Sequence, residues 1–210
     1  MKNHMLLSLK LVILFTNRYI SRFVLYSIVV LLSSCFKVRE PEPSNTQYSQ
    51  SGWNSPTEIG ILVENLSSAV TQPNTSNYER CFNPEKFIFV PEPTVAGGSD
   101  GIFTDWTFAD ESAYFINLSN NIISTSLNSL VFTNPKILNT VDFTIDSVEY
   151  TADYELTLYQ TDTLSTNKGN LRFILVRNDN NEFYIYSWQD NKVNDSIPSW
   201  TELKANFFTQ

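Results

Sequence analysis

The sequence predicts an α+β domain carried behind a cleavable leader. Apolar residues from Ile59 to Val70 recur at i, i+3, i+4 and i+7, the spacing of a single helix face. From Asn128 onward the pattern changes to period two, that of strands with one covered face. Ahead of both, a basic, acid-free stretch ends in a short apolar run and a cysteine.

The leader comes first. Lys2, Lys10, Arg18 and Arg22 precede or flank the apolar run Phe23 to Leu32, and no acidic residue lies between Met1 and Ser34. That run is too short to span a bilayer, which takes about 20 apolar residues, and the earlier run Met5 to Phe15 is broken by Lys10. A basic region, a short apolar region and small residues predict a secretory signal. Its end, Leu32-Ser33-Ser34-Cys35, resembles the lipobox of bacterial lipoproteins. The resemblance implies a signal peptide over 1–34, removed by cleavage before Cys35, and a diacylglyceryl group on the Cys35 thiol. The domain then stands outside the cytoplasm, in the bacterial cell envelope, with a membrane as its partner through the lipid. One acyl chain holds a protein only marginally, at about 0.8 kcal/mol per buried methylene. The two or three chains that the resemblance implies pass that threshold.

Removing the leader leaves 176 of the 210 residues, enough for one domain and a linker. The leader holds four basic residues and no acid, so its loss takes the net charge from −8 to −12. Such a chain is repelled by nucleic acid and by anionic membrane surfaces. The only histidine, His4, lies in the leader. The mature chain therefore lacks Ser-His-Asp and Cys-His catalysis and histidine metal sites. No metal site or cofactor is implied. With Cys35 acylated, the other cysteine, Cys81, has no disulfide partner.

Residues 35–54 read as the lipidated cysteine and a flexible tether, rich in Pro, Ser, Asn, Gln and Glu and without apolar periodicity. The tether spans roughly 25 Å on average and about 65 Å at its limit. The domain follows over 55–210. Ser55-Pro56-Thr57-Glu58 predicts a capped helix start, with Ser55 as cap and Glu58 completing a capping box. A second helix is expected from Ser76 to Phe82, with Ser76 and Glu79 as its box. Lys86 to Val90 reads as a strand and Pro93 to Gly101 as a loop. A third helix starts near Thr107, with Asp110 three residues on and Ala113, Tyr114 and Leu118 on its buried stripe. Candidate strands are Ser129 to Thr133, Thr140 to Ile145, Val148 to Tyr159, Asn170 to Arg177 and Glu182 to Gln189. The last two flank Asn178-Asp179-Asn180-Asn181 and form a hairpin. Strict alternation puts Tyr184, Tyr186 and Trp188 on one face and Phe183, Ile185 and Ser187 on the other. Ser199 to Phe207 closes the chain as a short helix or strand.

This order, with ILVENLSSAV, the segment Asn77 to Phe82, FIFVP and the closing FYIYSW, resembles the nuclear transport factor 2-like (SnoaL-like) cone. The chain also resembles uncharacterised bacterial lipoproteins with this arrangement. The resemblance implies N-terminal helices packed in a curved antiparallel sheet, also called the cystatin-like cone. It implies a pocket that serves isomerases, dehydratases or hydrolases in some members and binding or assembly in others. The resemblance also implies a homodimer formed through an open sheet face.

The residues that can serve a pocket reaction are Asp105, Asp110 and Glu111 as carboxylates, with Tyr114, Tyr184 or Tyr186 as hydrogen-bond donors to a developing oxyanion. Against this, such carboxylates equally cap a helix or face water, and such tyrosines equally form core. Cys81 reads as a small buried apolar residue rather than a nucleophile. Trp106, Trp188 and Trp200 read as core before they read as a ligand platform. Asp142, Asp146, Asp190 and Asp195 lack calcium-loop spacing. No activity motif is present. The expected function is a lipid-anchored module that binds a ligand or partner, with an isomerase or dehydratase and a self-associating structural module as the alternatives.

Overall fold

The computed structural model describes residues 52–139, 147–160 and 163–208. They lie in the compact unit Gln47–Gln210. Five strands form one curved sheet in the order β1-β5-β4-β3-β2. These are β1 (Ile88–Val90), β2 (Ile122–Asn139), β3 (Ser147–Gln160), β4 (Thr163–Arg177) and β5 (Phe183–Lys192). β1 runs parallel to β5, and the other neighbours are antiparallel. The helices are α1 (Ile59–Thr71), α2 (Thr75–Glu79), α3 (Pro93–Gly98), α4 (Phe108–Asn120) and α5 (Trp200–Phe208). This is the predicted α+β class, helices packed against a bent antiparallel sheet.

The core sits between the helices and the inner sheet face. Tyr150, Tyr154, Leu156 and Leu158 of β3 and Leu171, Phe173 and Leu175 of β4 are buried there. The outer face is mostly polar, with Lys168 paired to Glu155 and Arg172 to Glu149, each at 2.7 Å. The β4–β5 hairpin and the predicted strands from Val148 onward are present. The candidate strand Thr140 to Ile145 lies outside the described residues, as do Asp142 and Asp146.

The helix start expected near Thr107 is present, and Thr107 and Asp110 close it as a capping box. The Asp110 carboxylate accepts from Thr107 N at 2.8 Å, and Thr107 Oγ1 accepts from Asp110 N. On α4, Tyr114 and Leu118 are buried, but Ala113 is exposed and Glu111 and Phe115 complete the stripe.

Other local expectations are corrected. α1 starts at Ile59, and Glu58 occupies its cap position without a side-chain bond. Phe183 N donates to Pro56 O at 2.8 Å, and Ser55 Oγ donates to Glu182. The segment is thus held against the hairpin instead of entering the helix. Asn74, not Ser76, caps α2, accepting from Asn77 N at 3.0 Å, and the helix ends at Glu79. The expected loop after Pro91 is partly the helix α3, whose cap Glu92 accepts from Val95 N at 2.8 Å with Pro93 in its first turn. The strand from Lys86 begins only at Ile88, because Lys86 N is taken by Asn83 Oδ1 at 2.9 Å.

The faces of β5 are also corrected. Ile185 pairs with Leu175 and Ser187 with Ile174, so Tyr186 is an extra residue without a counterpart on β4. Such a bulge resets the alternation. Trp188 therefore joins Phe183 and Ile185 in the core. The closing segment is a helix, α5.

Candidate functional site

The interior of the cone centres on a buried ion pair. α4 carries Glu111 and α5 carries Lys204, both with no exposed side-chain surface. Lys204 Nζ donates to both Glu111 oxygens, at 2.6 and 2.5 Å. The carboxylate also accepts from Tyr78 Oη at 2.5 Å and Trp106 Nε1 at 2.9 Å. The ammonium lies 3.8 Å from the ring centres of Phe89 and Trp188 and 5.4 Å from that of Tyr114. Burial pushes the Lys204 ammonium down to about 8, against the upward pull of Glu111 and Asp190. Burial first, then the Glu111 charge, pushes the hydroxyls of Tyr78 and Tyr114 well above the usual tyrosine range.

A second buried network docks α5. Tyr154 Oη donates to Asp190 Oδ1 at 2.8 Å and accepts from Trp200 N at 2.6 Å. Asp190 Oδ2 accepts from both the amide and the hydroxyl of Thr201 at 2.7 Å. Trp200 Nε1 donates to Tyr114 Oη at 2.8 Å, tying the two networks together. Gly169 makes room for this. A Cβ there would lie 2.5 Å from both Tyr154 Oη and Asn191 O.

The structure separates the carboxylates singled out from sequence. Asp105 is exposed, in a left-handed turn at φ 57°. Asp110 serves as a helix cap. Glu111 and Tyr114 alone reach the interior, and both are engaged there. Trp106, Trp188 and Trp200 are core. Trp188 Nε1 has no acceptor among the described residues. Cys81 is fully buried, its Sγ 3.4 Å from Asn77 O, and burial pushes its thiol up. It is the small core residue expected. Sequence reasoning missed Lys204. Its helix carries one lysine among mixed residues, and its partner lies 93 positions away. Leu32, Ser33, Ser34 and Cys35 lie outside the described residues.

At one end of the domain is an open cleft of about 500 Å³, walled by the segment around Trp53 and Pro56, the turn after α2 and the β4–β5 hairpin. Arg80 lies 4.1 Å over the Trp53 ring, and Arg177 lies 3.9 Å over Phe183. Arg177 Nη1 donates to Asn181 O at 2.7 Å and Oδ1 at 2.9 Å, while the Arg80 guanidinium has no acceptor among the described residues. The walls are fixed by backbone bonds, Ile185 N to Cys81 O at 2.8 Å and Asn83 N to Ile185 O at 3.0 Å.

No protein-family model matches the sequence, and no curated protein matches it. Solved structures do. A candidate scytalone dehydratase from Novosphingobium aromaticivorans aligns over 67% of this chain and 89% of its own, at 11% identity and a TM-score of 0.50. The fold is the nuclear transport factor 2-like cone. A nuclear transport factor 2-like protein of unknown function from Shewanella oneidensis covers 64% of this chain and 96% of its own, at 12% identity and TM-score 0.46. A nuclear transport factor 2-like protein with a cystatin-like fold from Novosphingobium aromaticivorans covers 65% and 80%, at 6% identity and TM-score 0.47. At such identities the likeness is one of fold, and a cone fold hosts many functions.

Proposed function

We propose that this chain is a lipid-anchored protein of the cell envelope whose cone domain binds a ligand or partner without catalysing its conversion. The observation that carries the non-catalytic part is the filled interior. Of the two fully buried carboxylates, Glu111 is bound by Lys204, Tyr78 and Trp106 and Asp190 by Tyr154 and Thr201, and the space around is taken by Tyr114, Trp188 and Trp200, all fully buried. A general base must reach a substrate proton within hydrogen-bond distance, and here the lone pairs are spent on neighbours. Support for the anchor is the leader and the Leu32-Ser33-Ser34-Cys35 run.

Two measurements test the reading. Labelled palmitate fed to expressing cells is incorporated, and the label disappears in Cys35→Ala. Unchanged labelling removes the anchor from the proposal. The purified protein is also incubated with small carbonyl and epoxide substrates, and no turnover is expected. Turnover that Tyr114→Phe abolishes would establish the isomerase or dehydratase class instead.

A further inference from the structure

The acceptors of the open cleft are partly used, with the exposed carboxylates of Glu85 and Asp179 left open, while its main donors are not. Several of its acceptors are already used. The Glu182 carboxylate accepts from Ser55 Oγ and from Asn178 Nδ2 at 3.2 Å. Asn178 Oδ1 accepts from Asn180 N at 3.0 Å and Glu182 N at 2.9 Å. Asn83 Oδ1 accepts from Glu85 N at 2.8 Å and Lys86 N at 2.9 Å. The donors are not used. Among the described residues the whole Arg80 guanidinium, the side-chain Nδ2 of Asn83 and one edge of Arg177 have no acceptor. Each guanidinium carbon lies over an aromatic ring, at 4.1 Å for Arg80 and 3.9 Å for Arg177, and a guanidinium held in this way can meet a carboxylate with two parallel bonds. The floor between them is apolar, formed by buried Pro56, Phe82 and Phe183. The volume falls in the range of small-ligand pockets, roughly 300 to 1,000 Å³.

We propose that this cleft binds a small monocarboxylate with an apolar body, its carboxylate held by Arg80 and Asn83 and its body resting on the apolar floor. Charge argues for a single negative group. The exposed Glu85 and Asp179 also line the cleft, and the chain carries a net −8, so a phosphate or other multiply charged anion is repelled. The inference rests on reading the domain as a binding module and names the site and ligand class for it.

The test is a titration of the isotope-labelled protein with phenylacetate, followed by amide and indole NMR shifts. Phenylacetamide and inorganic phosphate serve as matched probes. Saturable shifts are expected at the Trp53 indole and at Arg80 and Asn83, with neither matched probe reproducing them. Arg80→Gln, a change at an exposed side chain, leaves the spectrum folded and weakens phenylacetate about tenfold, the worth of one charge-assisted contact. Equal shifts with phenylacetamide, unchanged affinity in Arg80→Gln, or tighter binding of phosphate would each overturn the ligand class. No shifts at the cleft would overturn the site and leave the non-catalytic reading untouched. Shifts at Tyr114 and Trp106 instead would overturn both, because the interior would then admit a ligand.

Discussion

The cone interior and the end cleft use the same contact, a cation laid on aromatic rings, to opposite ends. Inside, Lys204 lies against Phe89 and Trp188 and also meets Glu111, so the charge is enclosed and fully engaged. At the cleft, Arg80 lies over Trp53 and its charge reaches the Glu182 carboxylate, but the exposed guanidinium forms no hydrogen bond or ion pair among the described residues. The difference teaches that the aromatic ring sets the position of a cation, while the carboxylate beside it decides whether the cation serves the fold or remains available. Breaking the first is costly, because a buried charge left alone cannot be rehydrated. Breaking the second removes only an exposed cation and leaves the buried Trp53 ring packed in the core.

The largest effect is expected from Glu111→Ala, which strands the Lys204 charge. A loss of about 3–5 kcal/mol is expected by urea denaturation, with most of it recovered when Lys204→Met is added. A single variant as stable as the parent would show that the pair is not coupled.

Alkali provides the second contrast. Tyr78 and Tyr114, raised by burial and then by Glu111, and Tyr154, raised by burial and then by Asp190, stay protonated in the fold when the unfolded chain ionises near pH 10. Above that pH the unfolded state holds fewer protons, so stability falls, by about 1.4 kcal/mol per pH unit for each such tyrosine. Lys204 works the other way. Its ammonium is lowered from 10.5 to about 8 in the fold, so between those values the unfolded chain holds the extra proton and stability rises with pH. The urea midpoint is therefore expected to climb from pH 8 to near 10 and then drop. A midpoint that declines steadily from pH 8 would remove the depressed lysine from the account.

Gly169→Ala tests the network that docks α5. Its Cβ would press on Tyr154 Oη and on the backbone oxygen of Asn191. About 1–3 kcal/mol of overpacking is expected in the same denaturation assay. A neutral result would mean that Tyr154 can shift without loss. The smallest effect belongs to the cleft. Arg80→Gln is expected to cost less than about 1 kcal/mol, the worth of an exposed cation–π contact. A larger loss would make Arg80 a structural residue and erase the contrast between the two regions.

What was legible in the sequence was what neighbouring residues decide among themselves. The Thr107–Asp110 box and the Asn178–Asn181 hairpin each close within a few positions, and both are formed. Ser55 and Ser76 carried equally good local signals and lost to tertiary bonds and to a better-placed cap. Ser55 is drawn to Glu182 across 127 positions, and Asn74 takes the α2 start. One bulge at Tyr186 reversed the facing of Trp188, and alternation gives no warning of an inserted residue. At the site, Glu111 and Tyr114 were recognisable as carboxylate and hydroxyl on one helix. Their engagement was not, because Lys204, Tyr78 and Trp200 reach them from distant segments. The placement of Arg80 was not legible either, since it depends on Trp53 lying beneath it.

The enclosure of Lys204 also bears on its reactivity. An amine acylates only as the free base and only where a reagent can reach it, and here no side-chain surface is exposed. Acylation at this position has to wait for α5 to lift from the cone, a local opening with its own free energy. The rate at which Lys204 is acylated, set against that of exposed Lys86 or Lys136 in the same tube, is thus a clock for that opening.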